Sequence, residues 1–121
     1  MPLRYAARVS EWAMAFACTL LLETPVYLFG LSRLTAKSRA LRDSWRLVGI
    51  AVLVNLVTHP FAWALTRAWS WPRFAAVEAG VWVAESLLLM ALVRPASPLA
   101  LAAVAFTANA LSAGVGLLLF P

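Results

Sequence analysis

Four glutamates, one histidine and two asparagines stand where chemistry is least expected, inside long apolar runs. Glu11, Glu23, Glu78 and Glu85 are the acids, His59 the imidazole, Asn55 and Asn109 the amides. An ionised carboxylate at a bilayer centre costs about 3 kcal/mol or more, so an acid held there is a functional candidate by default. Protonated, such a group can hand on a proton; ionised, it can bind a cation. Glu78 and Glu85 are seven residues apart and so leave a helix on nearly the same face. His59 follows Asn55 by four residues and shares its face. It can relay a proton or ligate a metal, and it can equally be a hydrogen-bonding packing residue. Glu11, near the start of its run, suits an interfacial position beside Arg8. Glu23, His59, Glu78 and Glu85 form a chemically conceivable zinc or manganese set, without a recognisable ligand spacing. No other cofactor is indicated.

The elements that must carry these residues follow from hydropathy. Of 121 residues, 64% are hydrophobic and 12% charged, half the charge of an average soluble domain. The apolar residues fall into four blocks at about 9–31, 47–68, 74–93 and 98–120, each near the 20 residues that cross a bilayer. The expected fold is an all-α membrane protein, a single four-helix bundle with no soluble domain. Trp12, Trp45, Trp69 and Trp71 fall near the ends of these blocks, where indoles settle at the membrane interface. A signal-peptide reading of Arg4, Arg8 and the run after them is disfavoured, because the apolar chain continues past Cys18 through Leu20, Leu21 and Leu22. Cys18 is the only cysteine, which excludes an intramolecular disulfide.

A net charge of +5 invites a nucleic-acid reading, but its placement does not support one. Arg33, Lys37, Arg39, Arg42 and Arg46 gather in the 33–46 loop between the first two spans. The positive-inside rule puts that loop in the cytoplasm and both termini outside, in the plasma (inner) membrane. Arg94 supports this orientation, while Arg4, Arg8, Arg67 and Arg73 count against it. The expected partners of the loop are anionic lipid headgroups, with an acidic protein surface as the alternative.

The chain also carries an internal repeat. Glu23-Thr24-Pro25-Val26-Tyr27-Leu28 matches Glu78-Ala79-Gly80-Val81-Trp82-Val83 in residue class, and Asn55-Leu56-Val57-Thr58-His59-Pro60 matches Asn109-Ala110-Leu111-Ser112-Ala113-Gly114. Glu23 precedes Asn55 by 32 residues and Glu78 precedes Asn109 by 31. Two tandem hairpins, 9–68 and 74–120, related by a pseudo-twofold axis along the membrane normal, explain this spacing. They place Glu23, Asn55, Glu78 and Asn109 at similar depth. Pro25 and Pro60 each free a carbonyl one turn back, and Gly80 and Gly114 stand in the matching places. Such breakers suit either a cavity lining or a plain packing kink. Tyr27 and Trp82, four residues after their glutamates, can cover those carboxyls.

Three functions fit. The first is a proton- or cation-coupled transporter or channel using Glu23 and Glu78, with Glu85, His59, Asn55 and Asn109 completing the site. Four helices enclose little, so this reading favours a homo-oligomer. In size, helix count and a first-span glutamate, the chain resembles the small multidrug resistance transporters; the repeat and basic loop are not part of that resemblance. The second is an accessory subunit beside partner membrane proteins. The third, an enzyme, is least favoured: the residue types resemble the glutamate-histidine-asparagine sites of membrane prenyl-protein proteases, but there is no Glu-Glu pair and only one histidine.

Overall fold

The computed structural model describes residues 2–38, 41, 43–94 and 96–119. It consists of four α-helices, α1 (Pro2–Leu34), α2 (Ser44–Leu65), α3 (Trp71–Leu92) and α4 (Pro98–Leu119), and no strand among the described residues. All four are long and apolar enough to cross a membrane. Arg39 and Arg42 of the basic loop lie outside the described residues, as does Phe120 at the end of the fourth block. Arg33, Lys37 and Arg46 are exposed, and the Arg33 guanidinium lies 4.9 Å from the centre of the Phe29 ring.

Local chemistry sets the helix ends away from the edges of the hydropathy blocks. α2 starts three residues before its block because Asp43, in extended conformation, accepts a hydrogen bond from the Trp45 N–H at 3.1 Å. It ends three residues early, where Thr66 takes over as C-cap and bonds back to Ala62. Ser70 caps α3 with Pro72 just behind it, a favoured place for proline. α1 runs on toward the N-terminus, well past the hydrophobic block.

The helices form a ring in which α1 packs on α2 and α4, and α3 packs on α2 and α4. Polarity is distributed inside out. Leu21, Phe29, Leu53, Phe61, Leu87, Leu99 and Leu118 face outward, while Glu23, Asn55, Thr58, Glu85, Ser86 and Asn109 are buried. That is the arrangement a helix bundle adopts in hydrocarbon, where the outer surface needs no water and polar groups must find one another. Trp45, Trp69 and Trp71 are exposed at helix ends, as indoles at an interface should be. Trp12 differs: it is half-buried within α1 and stacks on Phe16 at 5.4 Å.

The end of the bundle near the 33–46 loop is closed. Tyr27, Leu31, Leu47, Ala51, Val54, Leu89, Val93, Leu101, Ala105 and Ala108 form one buried cluster there. Small residues let α4 approach closely, and on α1 Gly30 lies against Val104 of α4. A Cβ at that position would sit 2.6 Å from Val104 Cγ2, whereas Gly49 has open space around it. Gly30→Val therefore overpacks the α1–α4 seam. It should lower stability by about 1–3 kcal/mol in detergent unfolding followed by circular dichroism, while Gly49→Val stays close to wild type. Equal midpoints for the two variants would contradict this packing.

Candidate functional site

Above the closed end the four helices diverge around a cavity of about 360 Å³. Glu23, Asn55, His59, Glu78, Glu85 and Asn109 all line it, so the six residues singled out from the sequence come together in one place. Thr66, Trp69 and Phe74 also line it, which puts its mouth at the α2–α3 turn. Glu11 is exposed and takes no part.

Glu85, at 1% exposure, holds the most side-chain hydrogen bonds of the three acids in the cavity. Its Oε2 accepts hydrogen bonds from the Tyr27 hydroxyl of α1 and the Asn109 amide of α4. Its Oε1 lies 2.8 Å from Thr58 Oγ1 of α2. One carboxyl on α3 thus joins the other three helices. Glu23, 2% exposed, is met at Oε1 by the Ser112 hydroxyl of α4. Its Oε2 is buried with no hydrogen-bond partner among the described residues. Glu78, two helical turns from Glu85 toward the mouth, is only half-buried.

The two hydroxyls have a shared property. Thr58 Oγ1 is also 3.1 Å from the Val54 carbonyl, and Ser112 Oγ is 3.2 Å from the Asn109 carbonyl. A hydroxyl has one proton to donate and two lone pairs to accept with. When its proton points to the carboxylate, it suits the ionised acid. When it turns to the backbone carbonyl, its lone pair can accept from the protonated acid. Either form of Glu23 or Glu85 therefore meets a complementary neighbour.

The remaining candidates have more local roles. Asn55 returns its amide to the Ala51 carbonyl of its own helix at 3.0 Å, and Asn109 does the same to Ala105 at 2.9 Å besides bonding Glu85. His59 packs against Phe16 at 5.1 Å and Trp12 at 6.1 Å, with Nε2 buried and unpartnered among the described residues. Tyr27 reaches across to Glu85 instead of covering Glu23, and Trp82 donates to the Ala102 carbonyl at 2.9 Å instead of covering Glu78. The helix breakers turn away from the site. Pro25, Pro60, Gly80 and Gly114 are all exposed, and none lines the polar cavity.

No group of three or more His, Cys, Asp or Glu side chains among the described residues is placed to hold a metal ion. Glu23, His59, Glu78 and Glu85 share the cavity without forming such a group. Thr58 and Ser112, which follow Asn55 and Asn109 by three residues, are legible in the sequence as hydroxyls that join helices by hydrogen bonds, but their pairing with Glu85 and Glu23 is not.

The fold and site together define a four-helix bundle, apolar outside, with buried acids around an internal cavity. Comparison with protein-family models, with curated proteins and with solved structures finds no match.

The Tyr27 hydroxyl has Glu85 as its acceptor, whereas Thr58 and Asn109 each have a backbone carbonyl to fall back on. Glu85→Leu should therefore destabilise mainly by orphaning Tyr27, and adding Tyr27→Phe should recover part of the loss. A double-mutant cycle in detergent unfolding should give a coupling of about 1 kcal/mol. Strict additivity would show that the two side chains do not meet.

Proposed function

We propose that this chain is an integral membrane protein that moves protons, or a cation coupled to them, through the glutamate-lined cavity. The observation that carries the reading is the pairing of each buried glutamate with a hydroxyl that has a second acceptor on the backbone. An acid that must gain and lose a proton away from water needs a neighbour able to serve both forms, or one form is left with an unmet polar group. Thr58 and Ser112 meet that requirement without any movement of the helices. The unpartnered Oε2 of Glu23 supplies a free acceptor beside the cavity. Glu78, nearer the mouth, is placed to receive a cation or proton first.

A duplicated hairpin accounts for the two hydroxyls but not for which glutamate Thr58 meets. Thr58 and Ser112 occupy matching positions in the halves 9–68 and 74–120, and each bonds a glutamate of the other half. In this reading Glu85, rather than Glu78, takes the place opposite Glu23. The 33–46 loop faces the cytoplasm and meets anionic headgroups, both termini lie outside, and the cavity opens outward in the plasma membrane. The closed apolar end must part during transport, and a homo-oligomer is the expected assembly.

Flux into liposomes tests the proposal. Wild type should dissipate a proton gradient, alone or with a common cation. Glu23→Gln should reduce the rate at least about tenfold, as expected when a titrating group is replaced by one that cannot ionise. Glu78→Gln should reduce it less, because Glu78 stands nearer the mouth. Wild-type liposomes that leak no faster than empty ones under gradients of protons and common cations would refute it.

A further inference from the structure

The outer surface between α2 and α3 holds a second cavity, about 740 Å³, that the reading above does not use. Its lining is apolar but for Arg73 and Thr58. On α3 it follows Arg73, Ala76, Gly80 and Ala84, all exposed and, after the arginine, all small. These residues recur every three or four positions, so they form one stripe along the helix. Gly80 has no atom within 4 Å of where a Cβ would stand, and so deepens the groove at its middle.

We infer that this groove binds one anionic phospholipid, with Arg73 on the headgroup and an acyl chain along the stripe of small residues. Charge is the first reason. Arg73 lies at the N-terminal end of α3, beside the exposed Trp69 and Trp71, whose indoles mark the headgroup level. A guanidinium there forms paired hydrogen bonds to a phosphate. Length is the second. Arg73 and Ala84 are eleven residues apart on one helix, about 16 Å at 1.5 Å per residue. One leaflet of hydrocarbon is about 15 Å deep, half the usual core. The groove therefore holds the chain of a lipid whose headgroup is at Arg73, and ends where that chain ends.

The lipid has a structural consequence. Thr58, Ala62 and Val81 line both this groove and the polar cavity, so they are the wall between the two. An acyl chain in the groove covers the outer side of that wall at the α2–α3 seam. The inference does not depend on what crosses the bundle.

Native mass spectrometry of the full-length protein, delipidated and then exposed to phosphatidylglycerol or phosphatidylcholine vesicles, tests it. Wild type should retain one phosphatidylglycerol per chain, at least about fivefold more than phosphatidylcholine. Arg73→Gln should abolish that preference. Gly80→Leu, which fills open space and improves helix propensity, should lose the retained lipid while keeping its helical circular dichroism. Retention and preference that survive both substitutions would overturn the inference. So would their loss in Lys37→Gln alone, which would move the lipid to the basic loop.

Discussion

A carboxyl buried away from water has no solvent to turn to, and this requirement organises the bundle. Each unmet polar group in hydrocarbon costs several kcal/mol, so α3 can carry Glu85 at its centre only if neighbouring helices bring donors to it. They do: Tyr27 from α1, Thr58 from α2 and Asn109 from α4 converge on that one side chain. The convergence fixes the rotation of every helix about its own axis. Once Tyr27 and Asn55 are turned inward, Glu23, four residues before Tyr27, and His59, four residues after Asn55, are carried toward the cavity as well.

The two ends of the bundle differ because their residues differ in size and polarity. Toward the 33–46 loop the inward positions are mostly Leu, Val and Ala, and Gly30 allows α1 to press onto Val104. Such residues fill space and leave no room for water. Toward the α2–α3 turn the inward positions are Thr66, Phe74 and Glu78, and a cavity remains between them. The acids stand at the boundary between these regions, reached from one end and sealed from the other.

Much of this organisation is legible in the chain. The four spans follow from block hydropathy, and the site residues follow from their violation of it: Glu23, Asn55, His59, Glu78, Glu85 and Asn109 line a common cavity. Their partners were not legible. A seven-residue spacing puts Glu78 and Glu85 on one face without saying which turn meets the other helices. That depends on the relative heights of the helices, which block hydropathy does not fix. Proximity in sequence misdirected Tyr27 and Trp82 toward their own glutamates, when a long side chain in a bundle reaches across as readily as along. The prolines and glycines marked the right depth but the outer face, so the carbonyls that Pro25 and Pro60 free, at Leu21 and Leu56, belong to exposed residues outside the cavity.

The central claim is that the glutamate layer is reached from one end only. Thiol labelling measures this directly in a Cys18→Ser background, using a membrane-impermeant reagent added separately to each side of sealed vesicles. Ser112→Cys, beside Glu23 in the cavity, should be labelled from the side of the α2–α3 turn and not from the other. Ala105→Cys, one turn below Asn109 in the closed cluster, should be labelled from neither. Labelling of Ala105→Cys from the side of the basic loop, or protection of Ser112→Cys from both sides, would contradict the account.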